Sequence, residues 1–376
     1  MAEYTGVPTG GRYDTIINTI ADFLPSDPNK PIVAMPQSRF EAWEELVSMK
    51  EEGDIGHKCE IRAIINTSKS TVKQSRYFNP GQTRTATLTT GTAVGEVPYA
   101  NLGFEIAWVD DQLRSQPSGK KIVDELKRIT IQKTSKFLHG LDADVMDLPA
   151  SDSLAPTDGT AVELFGYPYW GTRITAAQNA VPATSAGAFQ GANPTGFSKK
   201  ANIDLSSSTY ALLRNYCAGW GNSTGALTEE GIMRLAEMFY QMNFVVPEML
   251  TDYKAPQFRN KQLLAGRTVI ENIKKYARAQ KDNMSGDVGE LAGTAIMFGT
   301  PVKRIQALDS DVYNTLYMVN KDLFKFRYDP GRWFYKREPI TPDKQPDTRV
   351  IYVETKGQLI LEDMQKGIAV MSLPEN

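Results

Sequence analysis

The sequence predicts an α+β fold divided into subdomains. Its 376 residues exceed what a single hydrophobic core usually holds. Two runs of alternating apolar and polar residues, near 59–65 and 102–108, predict β-strands, and residues 119–139 have the apolar spacing of a long helix. The chain after residue 225 mixes helical and strand patterns without strict alternation. This mixture predicts the α+β class.

The first 37 residues predict an extended arm. Four prolines interrupt short apolar patches there, at Pro25, Pro28, Pro31 and Pro36. Prolines this close together exclude a long helix. Ser38 and Glu41 then form a capping box, which predicts a short amphipathic helix that ends at Gly53.

The next segment predicts a long hairpin. Apolar residues alternate from Cys59 to Ile65 and again from Leu102 to Trp108, with a polar stretch at 79–91 between the two runs. We expect the two runs to pair as strands of a protruding hairpin. A two-stranded ribbon is marginal in water by itself, so this hairpin requires another surface.

A long helix is predicted over residues 119–139. Ile122, Leu126, Ile129 and Phe137 recur at helical spacing, and Gly140 is placed to end the helix. At this length the helix measures about 30 Å. The helix is therefore long enough to span a flat domain.

The remaining segments complete the mixed architecture. The aromatic residues of 165–171 are expected to dock in a core, 210–220 to form a strand, and 258–279 to form a helix. Thr228 predicts the N-cap of another helix. The C-terminal part is rich in strand patterns, with turns expected at 329–331 and at 356–357.

The histidines and cysteines do not form a recognisable reaction centre. His57 and His139 belong to different elements, and neither has a second ligand at zinc-like spacing. Cys59 alternates with apolar residues and is expected to be buried, and Cys217 lies far from it in sequence. A reducing compartment is the simpler interpretation of two such cysteines.

Two further motifs resemble ligand sites only in part. Asp142, Asp144 and Asp147 alternate as at the start of a calcium loop, but the required glycine and closing glutamate are missing, so a solvated acidic turn is favoured. The glycines of 286–289 lack the Lys-Ser/Thr ending of a phosphate loop. We therefore predict no catalytic, metal or cofactor site, and no enzymatic activity.

Charge and hydropathy restrict the classes of partner. Lys and Arg total 42 against 44 for Asp and Glu, a net charge of −2, so any contact with nucleic acid is expected to be local and weak. No stretch approaches the roughly 18 apolar residues that span a bilayer. We expect a chain that is made in the cytoplasm and does not bind a membrane.

In their order along the chain, these elements resemble the major capsid proteins of tailed bacteriophages, which share the Hong Kong ninety-seven capsid fold with encapsulins. Residues 166–170 (GYPYW), 210–215 (YALLRN) and 357–361 (GQLIL) add local resemblance. The resemblance assigns an N-terminal arm with a short helix, an extended loop, a peripheral domain containing the spine helix (119–139) and an aromatic linker, a mixed α/β axial domain, and returning peripheral strands. The corresponding ranges are 1–56, 57–112, 113–224, 225–342 and 343–376.

The resemblance implies a structural protein that assembles through pentamers and hexamers into an icosahedral shell around viral double-stranded DNA. It implies a virion capsid assembled in the host cytoplasm. No long charged helical segment precedes the arm, so any scaffolding protein is expected to be a separate one. Portal and decoration proteins are further expected partners. The arm and the extended loop are expected to contact neighbouring subunits. The contact residues we predict are Ile16, Phe23, Arg76, Tyr77, Phe78 and Arg84.

Several alternatives stay open at this stage. Lys120, Lys127 and Lys133 give the long helix a basic character, which fits either contact with packaged DNA or a solvated face with acidic neighbours. An encapsulin-like cellular compartment is a second function on the same fold. A soluble oligomeric enzyme, whose site is assembled from residues distant in sequence, is a third.

Overall fold

The computed structural model describes most of the chain. The described residues are 41–53, 58–66, 91–109, 119–151, 162–179, 187–222, 225–242, 261–279, 288–291, 294–343, 345 and 347–375. The α-helices are α1 (Glu41–Ser48), α2 (Gly119–Asp144), α3 (Tyr167–Trp170), α4 (Ala176–Asn179), α5 (Glu229–Gln241) and α6 (Arg267–Ala279). The α+β class predicted from the sequence is confirmed.

The strands form three sheets. In chain order they are β1 (Lys50–Glu52), β2 (Lys58–Asn66), β3 (Gly91–Pro98), β4 (Ala100–Val109), β5 (Gly187–Gly191), β6 (Asn215–Gly219), β7 (Lys261–Ala265), β8 (Val288–Leu291), β9 (Thr294–Met297), β10 (Thr300–Arg304), β11 (Leu316–Asn320), β12 (Phe324–Tyr328), β13 (Tyr335–Lys336), β14 (Thr348–Leu361) and β15 (Ile368–Ser372). One sheet joins β1, β12, β14, β13 and β4 around the long strand β14. The second has the order β5-β6-β15-β11-β7-β10-β9-β8, and the third is the pair β2-β3.

The eight-stranded sheet separates two hydrophobic cores. Along β11, Leu316 and Met318 point into the core that α5 and α6 cover. Tyr317 and Val319 point to the other side, into the large core that includes α1, α2 and the aromatic residues of 165–171, which we call the aromatic island. Successive side chains of a strand point to opposite faces, so one strand supplies both cores. The predicted docking of the aromatic island is confirmed, since Tyr167, Tyr169 and Trp170 are at most 1% exposed.

The predicted pairing of the hairpin strands is wrong. β2 pairs with Gly91–Pro98, whereas the run at 102–108 belongs to β4 and pairs with β14 along its length. The apolar face of β4 packs on α2, where the rings of Phe104 and Phe137 lie 4.9 Å apart. Alternation identified both strands, but it is equally compatible with either partner.

Helices begin and end differently from the predictions at several points. α1 ends at Ser48, and Lys50–Glu52 continues as a parallel partner of β12 before Gly53 is reached. Gly140 lies inside α2, and the helix continues to Asp144. The continuation is favoured because Leu141, and Val145 directly after the helix, are buried in the core. In a straight α-helix the 26 residues of α2 measure about 39 Å.

Three predictions of local structure in the second half also differ from the structure. Residues 261–265 of the helix expected at 258–279 form a strand, β7, and the helix α6 begins only at Arg267. The strand expected at 210–220 begins inside the 3₁₀-helix Ser208–Leu213, and only Asn215–Gly219 is a strand, β6. The turn expected at 356–357 is absent because β14 continues through it. Gly357 pairs with Ala100 on one side and with Tyr328 on the other, and a Cβ there would lie 2.6 Å from the ring of Phe326. The glycine provides space for this ring and does not make a turn.

Other local predictions are confirmed. The Thr228 hydroxyl accepts a hydrogen bond from the Gly231 N–H and caps α5, and Asp329 accepts one from the Gly331 N–H in the turn that follows β12. Cys59 and Cys217 are buried free thiols, and burial raises the pKa of Cys217 to about 12. None of the helices in the described ranges is long and apolar enough to cross a membrane.

Candidate assembly surfaces

The hairpin root attaches the β2–β3 ribbon to the body of the chain. We define it as Gly95 and Glu96 of β3 together with the turn at 200–203. The Ala201 carbonyl accepts a hydrogen bond from the Glu96 N–H at 3.1 Å. Ala201 and Asn202 have φ values of 49° and 62°, as in the tight turn of a two-residue hairpin. A Cβ on Gly95 would lie 3.0 Å from the Ala201 oxygen, so the two backbones touch.

The buried side chain of Lys200 supports the turn at 200–203. The Lys200 ammonium is inaccessible to solvent and donates to the Trp170 carbonyl at 2.9 Å, the Thr172 hydroxyl at 3.0 Å and the Asn215 side-chain oxygen at 3.3 Å. Burial lowers the pKa of Lys200 to about 7. All three acceptors are neutral, so they orient the ammonium group without compensating its charge. The root therefore rests on a group whose protonation changes near neutral pH.

The α1 latch holds the short helix that follows the arm. We define it as Asp142, Trp43 and Glu45 with their partners. One carboxylate oxygen of Asp142 accepts the N–H groups of Ala42 and Trp43 at 2.8 and 3.0 Å, so α2 caps the first turn of α1. Burial raises the pKa of Asp142, and the two backbone hydrogen bonds offset part of that increase.

The Asp142 contact corrects a prediction. Asp142, Asp144 and Asp147 were expected to form a solvated acidic turn, but Asp142 is only 6% exposed. Asp144 and Asp147 are exposed. No group of three metal-ligating side chains occurs in the described part of the chain. The first aspartate serves as a helix cap supplied from about 100 residues away, which local spacing cannot reveal.

Aromatic packing is the second part of the latch. The Trp43 ring stacks on Trp333 at 6.2 Å and meets Phe326 and Phe334 edge-on at 5.9 and 6.4 Å. Trp43 is 5% exposed. Burial of a large ring among others is the strongest attachment that a single side chain of α1 offers.

Charge forms the third part of the latch. Glu45 is buried and binds the ammonium groups of Lys303 and Lys321. Burial alone raises the pKa of Glu45, but hydrogen bonds from Lys303, Lys321 and Gln262 outweigh it, so the net pKa lies below its ordinary value. The helix is thus tied to β10 and to the turn after β11 of the eight-stranded sheet.

The predicted basic residues of α2 do not form one stripe. Lys127 and Lys133 are exposed, and Lys120 lies in the first turn of the helix. Six residues at about 100° each place Lys127 and Lys133 about 120° apart around the helix axis. Both lysines are exposed to solvent. Because they point in directions about 120° apart, a flat surface that contacts one of them does not fully contact the other. Contact of these residues with DNA stays a prediction.

The predicted subunit contacts lie outside the described residues. These are Ile16, Phe23, Arg76, Tyr77, Phe78 and Arg84. Sequence reasoning missed Asp142 and Glu45 as docking groups and Lys200 as a buried support. Lys200 follows Lys199 in a polar stretch that is typical of a solvated loop, so no sequence signal marks it.

A groove of about 490 Å³ with a mixed polar and apolar lining lies over β4 and β14. The Arg337 guanidinium on its wall pairs with Glu354 at 2.8 Å, and the Lys356 ammonium lies 5.3 Å from the centre of the Tyr99 ring. Gly103 forms part of its lining. The charged groups on the wall of the groove therefore have partners within the chain: Arg337 pairs with Glu354, and Lys356 contacts the Tyr99 ring.

An arm helix latched to the body, a separate two-stranded ribbon, a long helix on a five-stranded sheet and an eight-stranded domain with two helices together define a class of protein. This is the Hong Kong ninety-seven capsid fold, and the chain has this fold. The capsid-type α+β architecture predicted from the order of elements is confirmed. The residue boundaries of its subdomains stay predictions.

Comparison with solved structures identifies the same fold. The capsid protein of cyanophage A-1(L) is similar with a TM-score of 0.58 at 15% identity, over 94% of this chain and 99% of that chain. The capsid of a native GTA particle is similar with a TM-score of 0.50 at 11% identity, over 100% of both chains. At such identities the similarity establishes the fold and not the function.

A third structure, the holo-SrpI encapsulin complex of Synechococcus elongatus, has a TM-score of 0.47 at 10% identity over 95% of both chains. That similarity is too low to decide between a viral and a cellular shell. No protein-family model matches the sequence, and no curated protein is significantly similar to it.

Proposed function

We propose that this chain is a major capsid protein. In this proposal it assembles through pentamers and hexamers into an icosahedral shell that encloses viral double-stranded DNA. The shared fold supports a structural role, because the two solved structures compared above are capsids. The β2–β3 ribbon is the observation that carries the step from fold to assembly.

Within the described residues, β2 and β3 bond to each other and to neither larger sheet. Cys59 and Ile61 of β2 and Val97 of β3 are buried in the large core. The hairpin root meets the turn at 200–203. Val94 next to the root is 49% exposed. A two-stranded ribbon is marginal without a surface to cover it. In a shell, a neighbouring copy of the chain supplies such a surface to every ribbon.

The α1 latch supports the same proposal. Three kinds of contact hold α1, so the body fixes the point at which the preceding 40 residues join it. A fixed departure point is what an arm needs if it is to contact a defined neighbour. Ile16 and Phe23 in the arm, and Arg76, Tyr77, Phe78 and Arg84 in the extended loop, are the proposed contact residues.

DNA is proposed as a weak and non-specific partner. The net charge of −2 gives no overall attraction for phosphate. Lys127 and Lys133 are exposed cations on α2, and such groups neutralise phosphates without reading bases. The virion is the proposed location, with assembly in the host cytoplasm and separate scaffolding, portal and decoration proteins as further partners.

Electron microscopy of particles purified from cells that express the full chain tests the proposal. We expect closed icosahedral shells, and sizing chromatography of dissociated shells should show pentamers and hexamers. Co-expression with the other assembly genes of its source should give shells filled with DNA. Shells that enclose an enzyme cargo instead would support an encapsulin-like compartment. A stable small oligomer that never forms shells would contradict both and favour the enzyme hypothesis.

A further inference from the structure

Helix α5 presents an exposed stripe that the described residues of its own domain do not cover. Glu229, Met233, Glu237 and Tyr240 lie three or four residues apart and are all exposed. Met233 is 62% and Tyr240 79% exposed, unusually high for large apolar side chains on a helix. The stripe therefore combines two apolar side chains with two carboxylates.

The negative charge of α5 lies on its solvent-exposed side. Its one cation, Arg234, is buried and donates to the Gly219 carbonyl at 2.9 Å and to Glu230 at 2.6 Å. Three glutamates against one arginine give the helix a net charge of −2. Because the arginine points inward, the outer surface of α5 is acidic.

Helix α6 has the opposite charge. Arg267, Lys274, Lys275 and Arg278 against Glu271 give it a net charge of +3. Arg267 pairs with Glu271 on the same helix at 2.6 Å. Lys275 is exposed one turn further along that face. Because Glu271 offsets Arg267, the exposed Lys275 supplies the positive charge of this face, opposite in sign to the α5 stripe.

The two helices cover one face of the same sheet, since both contribute to the same core. α5 packs mainly on β5 and β6, and α6 packs on β8, β9 and β10. The Phe239 ring of α5 also lies 5.0 Å from the ring of Phe298, which follows β9. An acidic helix and a basic helix therefore form two different surfaces of the same domain.

We propose that the α5 stripe of one copy packs against α6 of the next copy in a ring. A contact between two different surfaces of the same chain repeats head to tail, and it closes into a ring when the rotation permits. Met233 and Tyr240 supply apolar area, and the carboxylates of α5 face the cations of α6. This contact rests on the proposed shell function and assigns the surfaces that join its pentamers and hexamers.

Two substitutions at one exposed position test the sign of the neighbour's charge. Met233→Lys and Met233→Glu remove the same apolar contact and differ only in charge. We expect Met233→Lys to raise the protein concentration for half-maximal capsomer formation by about fivefold, the effect of one exposed ion pair at the upper end of its range. Met233→Glu should assemble at a concentration at least fivefold lower than Met233→Lys. Sizing chromatography with light scattering over a dilution series measures both.

A second substitution identifies the partner helix. Lys275→Glu on α6 should weaken assembly when made alone, and Met233→Lys combined with Lys275→Glu should recover at least half of the loss. Matching urea midpoints for the monomers would show that every variant folds, as expected for exposed positions.

The outcomes separate this contact from the proposed function. If wild-type shells form and Met233→Lys and Met233→Glu assemble equally well, or weaken equally, the α5–α6 contact is wrong and the shell function stands. Failure of the double variant to recover would also overturn it, because another surface or another protein would then cover α5. A wild-type chain that stays monomeric contradicts the shell function and this contact together.

Discussion

The α1 latch and the hairpin root attach α1 and the β2–β3 ribbon to the same body by different means. α1 is held by side chains, namely the Trp43 ring and the carboxylates of Asp142 and Glu45. The hairpin root is held by close backbone contact between Gly95 and Ala201, supported by the buried Lys200. The latch uses three kinds of side-chain contact, whereas the ribbon is attached by the close backbone fit at its root and by the burial of Cys59, Ile61 and Val97 in the large core.

The comparison indicates which attachment moves more easily. Loss of one contact leaves the other latch contacts in place, because the ring, the cap and the ion pairs lie on different residues of α1. At the root, any change in the turn at 200–203 moves the oxygen that binds the Glu96 N–H. We therefore expect the ribbon to adjust its direction more easily than the arm helix.

The largest expected effect comes from the latch. Trp43→Ala removes a buried ring from a cluster with three other rings and should lower the free energy of unfolding by about 3 to 5 kcal/mol. Urea denaturation of the unassembled chain measures the loss. Trp43→Phe, which keeps a ring, is the matched control and should lose less. A loss below about 1 kcal/mol for Trp43→Ala would show that α1 is not docked by this residue.

An intermediate effect is expected at the root. Gly95→Ala places a Cβ 3.0 Å from the Ala201 oxygen and 3.3 Å from the Ile203 side chain. This overpacking should destabilise the chain by about 1 to 3 kcal/mol and increase protease cleavage within the extended loop.

A second glycine provides the control. Gly140 lies on the exposed face of α2, where an added Cβ meets nothing within 4 Å. Gly140→Ala should therefore stabilise the helix by about 1 kcal/mol. If Gly95→Ala is as stable as Gly140→Ala, the root is not tightly fitted and the contrast with the latch fails.

Per pH unit, the smallest effect is the dependence of stability on pH. The pKa of Lys200 is about 7 in the folded chain against 10.5 in the unfolded chain. Between these values the unfolded chain binds more protons, so stability rises with pH across this window by at most about 1.4 kcal/mol per unit. Lys200→Met should flatten that slope. Lys261, whose pKa burial also lowers to about 7, keeps its own contribution.

Urea midpoints at several pH values between 7 and 10 measure the slope for the wild type and for Lys200→Met. An identical slope in both would mean that Lys200 is not the buried cation we describe. Glu45 acts in the opposite range, since its lowered pKa contributes stability above the unfolded value of 4.5, which is lost as the pH falls below it. Acid therefore weakens the Glu45 contacts of the latch, while alkali stabilises the root.

Part of the candidate surface was predictable. Lys127 and Lys133 were predicted to lie on the long helix and are exposed there. Asp142 and Lys200 were not recognised, because their partners lie about 15 to 100 residues away and belong to other elements. A buried polar residue has the same local signature as a solvated one, and only its distant partner distinguishes them.

The sequence by itself determined the local elements and their order. The N-cap Thr228, the aromatic island at 165–171 and most C-terminal strands were identified from periodicity and turn residues, because these signals act over a few positions. Only the tertiary structure decided which strands pair. β4 was a correctly predicted strand with the wrong partner, and Gly357 looked like a turn until the strands on both sides of it were in place. Alternation specifies that a strand has two faces, but long-range packing selects its neighbours.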